Sequence, residues 1–152
     1  MNARRMRMAI VFIGLVISLG GLPRVIAGEF VLVGAVSPDR DPFTLYEIRK
    51  IFLGHSVERD GARIKGVINV ADEDNYSVFL QKLIHLSAKD YERRLVSRTF
   101  RTGVSSVSKA ETFAELKLTL LADASAISVV RSDQLEGSDG LEVIQVLWKV
   151  ED

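Results

Sequence analysis

Downstream of residue 29, apolar positions recur with two different periods, and the alternation between them predicts strands separated by helices. Phe30 to Val36, FVLVGAV, is a short continuous apolar run with β-branched residues, which predicts a buried strand. Ser37-Pro38-Asp39-Arg40-Asp41-Pro42 follows, and its two prolines force an exposed connection. The stretch Thr44 to Gly61 then organises what comes after it. Thr44 offers a hydroxyl to the first turn, Leu45, Ile48, Ile51 and Phe52 share a helical face, and Gly54 ends the helix in a left-handed conformation. Beyond a polar loop, Ile64 to Val70 reads as a second strand, with Ile64, Gly66, Ile68 and Val70 on one side.

Asp72 to His85 places Tyr76, Phe79, Leu80, Leu83 and Ile84 at helical spacing behind an acidic first turn, where carboxylates oppose the positive end of the helix dipole. Ser87 and Asp90 predict the cap of a further helix, whose stripe is Tyr91, Leu95, Val96 and Phe100 and whose end is the loop Thr102 to Ser106. Ser108 with Glu111 predicts a capping box for a helix through Phe113, Leu116, Leu120 and Leu121. Ala126 to Val130 is a compact strand, Asp133 to Asp139 is turn-like, and Leu141 to Val150 alternates as a final strand. The order is βαβααα and then two strands. It predicts an α/β three-layer sandwich with a mixed sheet flanked by helices.

The amino end changes the picture of length and charge. Arg4, Arg5 and Arg7 precede an uncharged apolar run, Met8 to Pro23, that ends near Val25-Ile26-Ala27, so residues 1–27 read as a secretory signal peptide. The run is shorter than the roughly 20 residues a membrane span needs, and no stable membrane insertion is expected after cleavage. Residues 28–152 then form one domain of ordinary size, in the periplasm. Of 20 basic and 20 acidic residues, four arginines lie before residue 28, which leaves a net-acidic domain for which nucleic acid is not an expected partner. The absence of cysteine excludes disulfides, thiolate metal sites and a lipid-modified cysteine.

A family resemblance rests on landmarks in a consistent order. Ile51-Phe52-Leu53-Gly54, Asp60-Gly61, Phe79, the segment Tyr91 to Gly103 and Ala126-Ile127-Ser128-Val129-Val130 together resemble the periplasmic phosphate-binding proteins of ABC importers, especially their short single-lobe relatives. The resemblance spans nearly all of residues 28–152. It implies one lobe of a periplasmic-binding-protein-like fold and a solute-binding or accessory role. Three departures accompany it: the aromatic helix has no tryptophan, Ser128-Val129 replace Gly-Tyr, and Glu73, Asp74 and Asn75 stand where full-length relatives carry arginine, serine, glycine and threonine. Carboxylates at that helix start repel an oxyanion, so the phosphate position reads as degenerate.

The remaining candidate chemistry is modest. Arg98, Arg101, Thr102, Gly103, Ser105 and Ser106 form a possible anion loop, with a capped helix end as the alternative. Asp72 to Asp74 lack the twelve-residue calcium pattern and read as helix capping. His55 and His85 stand without a recognisable nucleophile or orienting acid, which predicts a non-enzymatic protein without cofactors or metals. The expected partner is a membrane or periplasmic protein, such as a sensor or transporter, with a small oxyanion as the other expectation.

Overall fold

The uninterrupted apolar character of the first strand has a simple cause, since side chains alternate across a strand and both of its faces are covered. In the computed structural model, which describes residues 28–35 and 41–149, β1 (Glu29–Gly34) sends Phe30 and Leu32 into one core and Val31 and Val33 into another. The predicted signal peptide, residues 36–40 of the first strand and its proline loop, and the last predicted strand residue, Val150, lie outside the described residues.

The other elements follow as α1 (Leu45–Phe52), β2 (Glu58–Arg59), β3 (Ala62–Arg63), β4 (Lys65–Asn69), α2 (Glu73–Phe79), α3 (Ala88–Thr102), β5 (Val107–Ala110), α4 (Phe113–Ala122), β6 (Ala126–Arg131) and β7 (Glu142–Lys149). Among the described residues, five strands form a mixed sheet in the order β5-β4-β6-β1-β7. β4 runs parallel to both β5 and β6, whereas β1 is antiparallel to β6 and β7. Residues of α1, α2 and α3 pack with Leu32, Ile68 and Val129 on one face, and Leu116 and Leu120 of α4 pack with Val31, Val67 and Val130 on the other. The fold is therefore an α/β three-layer sandwich, and no helix of the described residues is long and apolar enough to cross a membrane.

The local signals that set these elements are largely those of the sequence. Thr44 accepts from the Glu47 amide while the Glu47 carboxylate accepts from the Thr44 amide, completing a capping box at α1. Ser87 caps α3 by accepting from the Asp90 amide, and Gly103 closes its far end at φ 68°. Asp60 and Gly61 both have positive φ and form the two-residue turn between β2 and β3, a hairpin that the sequence reading treated as a loop.

Three expectations are corrected. Ser108 does not cap a helix, because Val107–Ala110 is the edge strand β5; α4 is capped by Thr112, which accepts from the Glu115 amide. The element order therefore gains a strand between α3 and α4. The expected apolar stripe of α3 is buried only at Tyr91 and partly at Leu95, while Val96 is 50% and Phe100 85% exposed. Finally, the helix begun by α2 changes character at Leu80–Ile84, a π-helical turn that His85 ends in the left-handed region at φ 58°.

Candidate functional site

In an open α/β sheet, ligands approach the crevice beyond the carboxyl ends of parallel strands. Here β4 and β6 end at Asn69 and Arg131, and the short helix α2 starts just beyond β4. This is where Glu73, Asp74 and Asn75 stand. Asp72 caps α2 through Oδ1, which accepts from the Asn75 amide at 3.0 Å. Its second oxygen accepts from Gln134 Nε2, also at 3.0 Å. Gln134 lies on a single 3₁₀ turn, Ser132–Leu135, and its Oε1 accepts from Asn69 Nδ2 at 3.3 Å and from the Arg131 amide at 3.4 Å. One side-chain amide thus ties together the ends of β4 and β6 and the start of α2.

Glu73, Asp74 and Asn75 do not act alike. Glu73 and Asp74 are exposed, whereas Asn75 is buried and donates from Nδ2 to the Val129 carbonyl at 3.4 Å, leaving Oδ1 without a partner. Asn75 therefore serves the sheet beneath α2, and the two acids face solvent. Gln134 and Asn69 were not singled out in the sequence, because their pairing joins residues 65 positions apart. The signal available in the chain was weak: glutamine both donates and accepts, and it falls in a polar turn directly after a strand.

The second candidate, the loop after α3, is drawn together around a carbonyl. Arg98 Nε donates to the Gly54 carbonyl at 2.6 Å, and Ser106 Oγ donates to the same oxygen at 3.2 Å. Thr102 Oγ1 lies 3.0 Å from both the Arg98 and the Val104 carbonyls, while Ser105 Oγ donates to the Val107 carbonyl at 2.7 Å. Arg101 and Gly103 are exposed. The space between Gly54, Arg98 and Ser106 is about 10 Å³. That is the room of one water molecule, well short of an oxyanion. This arrangement locks the end of α1 to the end of α3.

His55 follows α1 and borders a cleft of about 380 Å³ lined by Tyr46, Arg49, Lys50, Leu53 and itself. Burial holds its pKa below the ordinary value, and the neighbouring charges of Arg98, Lys50 and Arg94 lower it further. It is therefore set among cations with no carboxylate contributing to its shift. His85 is exposed at the end of the π turn. Among the described residues, no group of three or more histidines and carboxylates is placed to hold a metal ion.

These features define a mixed α/β domain whose strand-end crevice is bridged by its own side chains. No protein-family model matches the chain, and no curated protein matches it. Among solved structures, the fold is similar to the crystal structure of an ABC-type phosphate transport receptor from Vibrio cholerae, with a TM-score of 0.45 and 13% identity over 78% of this chain. The match covers 46% of the receptor, so this chain spans about half the length of the protein it matches.

Proposed function

We propose that this chain is a non-catalytic, extracytoplasmic binding-protein-like domain with a degenerate phosphate position, serving as an accessory component that meets a membrane or periplasmic protein. The observation that carries this reading is the bridge made by Gln134. An oxyanion at the start of α2 would compete for the Asn75 amide that Asp72 already serves, and it would have to part Gln134 from Asn69 and Asp72. It would also meet negative charge, since Asp72, Glu73 and Asp74 are consecutive. Like charges about 4 Å apart repel by roughly 4 kcal/mol at an effective dielectric of about 20. That is about half of the binding free energy of a micromolar site.

The test is thermal. A ligand that binds the folded form raises its melting midpoint with concentration according to RT ln(1 + [L]/Kd). Phosphate, sulfate and related oxyanions at millimolar levels are expected to leave the midpoint unchanged, and a saturable rise with phosphate would sink the reading. A second reading, a solute-binding domain for a small oxyanion, is favoured by the cations around His55. Under it phosphate raises the midpoint in the parent protein, and Lys50→Ala removes the rise.

A further inference from the structure

Helix α1 ends in a cluster of cations that the fold uses only in part. The carbonyls of Arg49, Lys50 and Ile51 accept from the Leu53, His55 and Gly54 amides, and the Phe52 carbonyl accepts from the Tyr91 hydroxyl at 2.6 Å. The side chains of Arg49 and Lys50 are therefore not needed to cap the helix. Arg49 Nη2 donates to the Ile84 carbonyl at 3.0 Å, but its Nε is buried without a partner among the described residues, so the guanidinium still lacks an acceptor. Lys50 Nζ stands 5.7 Å from the centre of the Tyr46 ring.

Charge is unbalanced in this region. Residues 45–57 and 80–102, which span α1, the loop after it, the π turn and α3, carry eight basic side chains against three acidic ones, on a domain that is acidic as a whole. The three acids are already engaged: Glu47 with Thr44 and Arg59, Asp90 with Ser87 and Arg93, and Glu92 with Lys109. Among the described residues, no ion pair joins a carboxylate to Arg49, Lys50, Arg94 or Arg98. The cleft of about 380 Å³ beside His55 falls within the range of small-molecule sites, about 300–1,000 Å³. Its lining combines the two cations with two apolar walls, Leu53 and the Tyr46 ring, which is 70% exposed. His55 completes it, and because burial and nearby cations lower its pKa, it offers a neutral imidazole at pH 7. A bare oxyanion would fill little of this space and gain nothing from the ring.

We propose that this cleft binds a small organic carboxylate with a flat apolar body, the carboxylate held by Arg49 and Lys50 and the body laid against Tyr46 and Leu53. A guanidinium fork matches a carboxylate in its plane, whereas an ammonium adds charge without a fixed direction. Partly exposed cations alone contribute little, so the apolar body, taken out of water against Tyr46 and Leu53, supplies the rest of the affinity. The site stands apart from the start of α2, and it holds alongside the accessory role proposed above. It differs from the phosphate reading in that charge alone is not enough.

Naphthoate is titrated into the ¹⁵N-labelled protein beside the matching naphthamide, which keeps the shape and removes the charge, and beside acetate and phosphate, which keep charge and remove the body. Saturable shifts of the amides from Lys50 to His55 are expected with naphthoate at millimolar concentration. Each of the other three is expected to bind at least about tenfold more weakly. Lys50→Gln and Tyr46→Ser are each expected to weaken naphthoate about tenfold. Both variants should keep the parent's melting midpoint, since Tyr46 is 70% exposed and Lys50 makes no ion pair among the described residues. Absence of saturation with naphthoate overturns the proposal, as does unchanged affinity in either variant. Naphthamide binding as tightly as naphthoate overturns it too, because the cations then play no part. Phosphate or acetate matching naphthoate at the same amides also overturns it, and phosphate doing so favours the solute reading. Flat titrations with both naphthoate and phosphate remove this site and leave the accessory reading standing.

Discussion

A methyl group at Gly66 would lie 2.9 Å from Phe52 Cδ1 and 3.0 Å from its Cε1, nearer than real carbon contacts allow. Phe52 is fully buried and held edge-on to Phe79, with ring centroids 5.1 Å apart, so the ring has nowhere to go. Gly66→Ala is therefore expected to destabilise the protein by about 1–3 kcal/mol in urea unfolding, and Phe52→Leu in the same chain to recover part of the loss. The sequence placed Gly66 on the inward face correctly, but only the fold says which side chain needs the room. Ser128 is the opposite case. It is fully buried on the α4 side of β6, and its hydroxyl has no partner. Ser128→Ala is expected to be stabilising by about 1 kcal/mol, read as a higher urea midpoint at unchanged slope.

At the scale of elements, α1 and α3 were legible because their caps are local: Thr44 with Glu47 and Ser87 with Asp90 are each three residues apart. The same rule misplaced α4. Ser108 with Glu111 and Thr112 with Glu115 are equally spaced, and the choice between them was made by pairing with β4, which claims Val107–Ala110 as a strand. The role of Arg98 was hidden for a related reason, since the Gly54 carbonyl it grips is 44 positions away. Arg98→Ala is expected to cost about 1.5–3 kcal/mol, the range for a hydrogen bond from a charged donor, because it frees the end of α1 from α3. Its response to phosphate should match that of the parent protein. A change in that response would make Arg98 part of an anion site and not a clamp.

For the whole molecule, the pairing of Lys65 with Asp123 at 2.7 Å joins the start of β4 to the turn between α4 and β6. The hydrogen bond from Lys65, and then those from the Ser125 hydroxyl and amide, hold the Asp123 carboxyl at about 2, below its ordinary 3.8. A depressed carboxylate stabilises the fold fully above its unfolded pKa and loses that contribution as the pH falls through the folded one. The window is thus from about pH 4 down to about pH 2. Both side chains are partly exposed, so screening limits the effect, and Asp123→Asn is expected to cost about 1 kcal/mol at neutral pH. The difference from the parent should shrink through that window and vanish below about pH 2 in acid titrations of stability. This cross-chain contact, like the Gln134 bridge, could not be read from a linear pattern, because its partners meet only in the finished sheet.

β1 sits between β6 and β7, with Phe30 opposite Arg131 on one side and Glu29 opposite Lys149 on the other. A growing polypeptide therefore emerges with its first strand bare, and neither neighbour exists until more than ninety further residues have been added. Closure of such distant loops is slow, and domains of this kind complete themselves late. β1 is in consequence without a sheet partner while residues 35 to 125 are added, and the five-stranded sheet closes only when β6 and β7 are complete.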